Sequence, residues 1–146
     1  MSIEDNKAAF RRWFADVVNQ NKYEVVEELL APDYVCHMPG APPTDRDGHR
    51  GMVEFFAASF PDWSEEVEDM IAAGDKVVGR MSAGGTHTAA FQGIEPSGKR
   101  ITISGIGIMR FNEEGKVAES WWEFDAVGLM TQLGAIPAPE AEGATS

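Results

Sequence analysis

Apolar residues recur at helical spacing near both ends of the chain and alternate through its middle, and this change of period sets the expected architecture. Ile3, Phe10, Phe14 and Val17 fall on one helical stripe. Ser2, with Asp5 three residues on, opens that stripe as a capping arrangement, so a first helix is expected to about Asn19. After the turn signal Asn19-Gln-Asn-Lys22, the residues Tyr23, Val26, Leu29 and Leu30 repeat the stripe until Pro32 forbids its continuation. Asp33 to Met38 reads as a brief strand, and the aperiodic stretch PGAPPTDRDGHRG that follows reads as a lid or rim loop. Met52, Val53, Phe56 and Phe60 then give a third helix with an aromatic face, stopped at Pro61.

From Lys76 onward the period is two. Gly74-Asp75 and Glu95-Pro-Ser-Gly98 are turn signals, and they bound strands over 76–90 and 100–111. Trp63 to Ala73 fits a helix or a strand by spacing alone, and a hairpin partner for 76–90 makes it a strand. Within 100–111, Gly105 and Gly107 share a face with Ile103 and Met109, which marks bending or a close approach by another group. The last patterned stretch, GKVAESWWEFDAVGLMTQLG at 115–134, runs as a strand and turns into a short helix carrying Val127, Leu129, Met130 and Leu133. Strict alternation places Val117, Glu119, Trp121, Glu123 and Asp125 on one side and Ser120, Trp122 and Phe124 on the other.

The expected fold class is α+β. Three N-terminal helices lie against a curved, mainly antiparallel sheet of about four long strands, a cone-like barrel with an internal pocket. Phe14, Phe56, Phe60 and Met109 are its expected apolar walls. A chain of 146 residues makes one domain, assigned to 1–134, with AIPAPEAEGATS at 135–146 a flexible tail.

Charge and cysteine content narrow the partners. A formal charge of -12 repels phosphate backbones and anionic lipid, so neither nucleic acid nor a membrane is expected. Cys36 is the only cysteine, which excludes an intrachain disulfide and fits a reducing compartment. No apolar run approaches the ~18 residues of a membrane span, and a cytoplasmic protein is expected.

Asp125 is the first chemical lead. An acid held against the Trp121 indole is favoured in its neutral form and drawn towards proton chemistry, yet the same position before Ala126 and Val127 is where a helix N-cap belongs. Three stretches carry a resemblance: APDYVCHMPG at 31–40, GTHTAAFQGIEPSGKRITISGIGIMRF at 85–111, and the stretch at 115–134. Their order and spacing resemble the SnoaL-like polyketide cyclases of the nuclear-transport-factor-2-like superfamily, which includes ketosteroid isomerase.

The resemblance covers about residues 5–134. It implies a cofactor-independent cyclase (intramolecular aldol closure) or isomerase acting on a lipophilic, carbonyl-bearing molecule, with Asp125 as general acid and base. His37, His87 and the Trp121 indole are the candidate oxyanion donors. Glu123 couples to Asp125, faces water at the rim, or pairs with a cation such as Arg80 or Arg110. His49 is expected in the solvent-exposed loop. No two histidines stand at ligand spacing, so no metal is expected, and the resemblance implies that no cofactor is needed.

Two other readings stand beside the enzyme: a binding module in which Asp125 only caps the helix, and an interaction domain. A water-activating enzyme like the epoxide hydrolases needs an aspartate, arginine and aspartate set that cannot be placed in the sequence. Trp122 is expected on the outer sheet face as the anchor of a homodimer.

Overall fold

Ser2 and Asp5 exchange side-chain and backbone hydrogen bonds as a complete capping box, and α1 (Ile3–Arg12) starts there. A computed structural model describes residues 2–137 of the chain. Of the tail expected over 135–146, residues 138–146 lie outside the described residues. The helix continues as a π-helical turn, Trp13–Val18, whose Trp13, Phe14, Val17 and Val18 are all buried. A short α2 (Val25–Leu29) follows. The strands are β1 (Leu30–His37), β2 (Ser64–Ala73), β3 (Lys76–Thr86), β4 (Arg100–Phe111) and β5 (Val117–Phe124), with α3 (Arg46–Ser59) before β2 and α4 (Ala126–Gln132) after β5.

The five strands form one sheet in the order β1-β5-β4-β3-β2. β1 runs parallel to β5 and the other pairs are antiparallel. The expected barrel is instead an open sheet, because β1 and β2 stand at opposite ends of that order with no ladder between them. α1, its π-helical extension and α3 cover the concave face that a barrel would have closed. The α+β class and the helix-covered curved sheet are as the sequence indicates.

Two further corrections set the site. First, the supposed loop through Arg-Asp-Gly-His-Arg is the start of α3: Asp45 caps it by accepting the Gly48 N–H at 2.8 Å. Second, strict alternation fails on β5. Arg110 pairs with Glu119 but Phe111 pairs with Val117, so Ala118 is an extra, bulged residue that reverses the parity of everything after it. Val117, Ser120, Trp122 and Phe124 therefore face inward, and Glu119, Trp121 and Glu123 face outward.

The inner face is shaped for large rings. A Cβ on Gly107 would meet the Trp122 ring at 2.2 Å, and one on Gly79 would meet the Phe10 ring at 2.4 Å. Glycine at each position lets an aromatic ring lie flat on the sheet backbone.

Candidate functional site

Between the inner sheet face and the helices lies an apolar cavity of about 440 Å³. Phe14 of the π-helical turn, Val53 and Phe56 of α3, Trp122 of β5 and Leu129 of α4 are among its walls. A cavity of this size, mostly apolar with few polar groups, suits a small organic ligand.

The polar groups are few, and one of them anchors a hydrogen-bonded chain. His49, only 3 % exposed, lines the cavity one helical turn before Val53. Its Nδ1 lies 2.8 Å from the Tyr34 hydroxyl. Tyr34 bonds in turn to Ser120 Oγ, which also accepts the Trp122 Nε1–H at 2.8 Å. One direction that gives every hydroxyl hydrogen an acceptor runs from Trp122 to Ser120, from Ser120 to Tyr34 and from Tyr34 to His49. His49 Nδ1 is then an acceptor, and its Nε2–H is the donor left for the cavity. Burial lowers the His49 pKa from 6.5 to about 3 and pushes the Tyr34 phenol well above its usual value, so both stay neutral at pH 7. A second titratable group, Glu65 at the start of β2, also lines the cavity, and burial pushes its carboxyl up while the Trp63 indole N–H draws it down.

The residues singled out in the sequence are dispersed. Phe14 and Phe56 line the cavity. Phe60 and Met109 are fully buried in the core behind it. Glu123 is exposed at the mouth. His87 is fully buried away from the cavity lining, its Nδ1 accepting the Ser97 N–H at 3.2 Å and its ring 5.5 Å from Phe60.

His37 and Trp121 stand on the outer face, stacked at 5.4 Å. His37 Nε2 bonds Glu119 at 2.7 Å and Arg110 bonds the other Glu119 oxygen at 3.2 Å; together they hold that carboxyl below its usual range. The pocket face expected for Trp121 is thus occupied by Trp122, the consequence of the Ala118 bulge.

Asp125 is exposed and accepts the Gly128 N–H at 2.8 Å as the N-cap of α4; its neighbours Phe124 and Ala126 line the cavity, and it does not. Asp125→Ala is expected to cost about 1 kcal/mol of stability and Asp125→Asn almost none, since asparagine caps as well, a difference that thermal denaturation resolves.

Sequence reasoning missed His49, Tyr34, Ser120 and Glu65. The signal for His49 was present: the α3 stripe Phe60, Phe56, Val53 extended one turn back lands on it. Among the described residues there is no cluster of three metal-ligating side chains, and no helix is long and apolar enough to cross a membrane.

No curated protein sequence matches the chain significantly. Solved structures do. AclR from Streptomyces galilaeus, a proposed hydroxylase, superposes with a TM-score of 0.85 at 26% identity, covering 95% of this chain and 87% of its own. IdmH from Streptomyces antibioticus, a proposed polyketide cyclase, does so with a TM-score of 0.78 at 33% identity over 92% and 99% of the two chains. TsrD from Streptomyces laurentii gives 0.82 at 27% identity over 93% and 99%. The sequence profile of the SnoaL-like polyketide cyclases matches residues 8–133, nearly the whole described fold, and the chain belongs to that family.

Proposed function

We propose that the protein is a cofactor-independent acid–base enzyme, a cyclase (intramolecular aldol) or isomerase, acting on a lipophilic carbonyl-bearing small molecule. The observation that carries this reading is His49, a neutral donor held by the Tyr34–Ser120–Trp122 chain in a mostly apolar cavity. Charge developing on a carbonyl oxygen there meets a fixed N–H on a buried side chain, where such a donor is worth more than in water. Family membership and the resemblance of the cavity's frame to polyketide cyclases support the substrate class.

The test is deuterium uptake by 2-tetralone, a neutral bicyclic ketone, followed by proton NMR in D₂O. Wild-type protein is expected to exceed the buffer rate, and His49→Ala to lose about 10²-fold of that excess. Protein that binds 2-tetralone without promoting uptake is instead a binding module. That second reading is favoured by one observation: the carboxylate implied by the resemblance, Asp125, is engaged as a cap. Asp125→Asn separates the roles, because it keeps the cap. Unchanged uptake assigns Asp125 to α4 alone, and lost uptake with unchanged melting places the acid/base there. An epoxide-hydrolase-like site has less support, since among the described residues no arginine lines the cavity.

The outer sheet face supports a homodimer. Ile71, Val78, Ile108, Trp121 and His37 stand in register across all five strands, an apolar row that ends on the Trp121–His37 stack. Trp121→Glu is expected to turn a dimer into a monomer in sedimentation velocity; wild type that sediments as a monomer at micromolar concentration overturns the assignment.

A further inference from the structure

Four acids crowd the start of β2, in Ser64-Glu-Glu-Val-Glu-Asp69, and by composition they form one solvated edge. The ladder separates them. Glu65 pairs with Ala83, and both line the cavity. Glu66 pairs with Ser82 and is exposed, while a register shift between Val67 and Asp69 leaves Glu68 outside, where it accepts from Ser82 Oγ. Of the four, only Glu65 turns inward.

Its position is held from two sides. Asn19, at the end of the π-helical turn, accepts the Glu65 N–H at 2.8 Å and donates to the Glu65 carbonyl at 2.9 Å, as a neighbouring strand would. The carboxylate accepts the Trp63 Nε1–H at 3.1 Å through Oε2. Oε1 has no hydrogen-bond or ion-pair partner among the described residues. Among the described residues no lysine or arginine lines the cavity. A half-satisfied carboxylate without a cation is an unusual wall for an apolar pocket, and it costs stability unless it is used.

We infer that Glu65 is the catalytic acid/base of the cavity, taking a proton from the carbon next to a ligand carbonyl and returning it, while His49 binds the oxygen on which charge develops. This rests on reading the cavity as an acid–base site. In the forward step Glu65 Oε1 bonds to the proton, the C–H pair moves into the adjoining C–C bond, and the carbonyl pair moves onto oxygen, which accepts the His49 Nε2–H. In a cyclisation the enolate carbon then bonds to a second carbonyl carbon of the same molecule. The π pair of that carbonyl becomes an alkoxide, which takes the proton back from Glu65. The sum is an isomerisation: no proton, electron or co-reactant is gained or lost.

One physical cause prepares both groups. Burial penalises charge, which raises the carboxyl and lowers the imidazole, so the first is a stronger base than a free glutamate and the second stays a neutral donor. The same arrangement selects the ligand. With one carboxylate inside and no lysine or arginine in the lining among the described residues, a free-acid substrate is repelled and a neutral one admitted.

The experiment uses the full chain and 2-tetralone, with binding read by tryptophan fluorescence and proton transfer by deuterium uptake. Glu65→Gln is expected to bind as wild type does and to lose 10²-fold or more of the uptake, about what a positioned general base contributes. Glu65→Gln that binds and still promotes uptake overturns the assignment to Glu65 and leaves the acid–base reading standing. Wild-type protein that binds without uptake overturns both. Should Glu65→Gln also lose binding, Glu65→Asp decides: uptake recovered by the shorter carboxylate supports the assignment, and binding recovered without uptake overturns it.

Discussion

Acidification from pH 6.5 to about 3 is expected to remove roughly 4 to 5 kcal/mol of stability through His49 alone. The folded chain holds this imidazole neutral down to about pH 3, whereas the unfolded chain protonates it near 6.5. The unfolded state therefore binds the extra proton throughout that window. The contribution is complete above 6.5 and is lost progressively as pH falls, which is the sign for a base whose pKa burial depresses. Native carboxylates add their own acid sensitivity, so the diagnostic is a difference. His49→Gln keeps a polar group beside Tyr34 and cannot titrate. Urea midpoints for the two proteins, measured between pH 7 and 4, are expected to converge as pH falls. Parallel curves would show that His49 meets solvent and protons freely.

The adjacent tryptophans are expected to respond very differently to removal. Trp122→Ala strips the cavity floor, leaves Ser120 without its indole donor and opens space above Gly107, a large-to-small change of about 3 to 5 kcal/mol. Trp121→Ala loses one stacked, half-exposed ring on the outer face and is expected to cost roughly 1 kcal/mol in the isolated chain. Chemical denaturation of the two variants measures this directly. Equal losses would contradict the placement of the Ala118 bulge.

That pair also shows what was legible in the sequence. Periodicity located the elements because it reports a face, and faces are set by bulk apolar burial: β4 over 100–111 and the change from strand to helix near Asp125 are where the pattern puts them. A bulge has no such signature. Ala118 is an ordinary residue, yet one unpaired position moved Trp121 and Glu123 outward and Trp122 inward. His49 was lost for a related reason. Gly48 and the Pro and Gly residues before it weaken any helix pattern, and a single cap, Asp45 to the Gly48 N–H, outweighs them locally. Glu65 was hidden by its neighbours, since four acids in six residues give no sign of which one a ladder will turn inward. Apolar walls were easier: Phe14 and Phe56 sit on stripes whose period is unambiguous.

An open sheet has two free edges, and each invites a strand from another molecule. At one residue of each edge this chain's own atoms take the place of a partner strand. At β2 the Asn19 amide occupies the N–H and carbonyl of Glu65. At β1, Cys36 exchanges backbone hydrogen bonds of 2.8 and 2.9 Å with Thr44. Edge-to-edge growth, the geometry of domain swapping and fibrils, is thereby opposed at both ends.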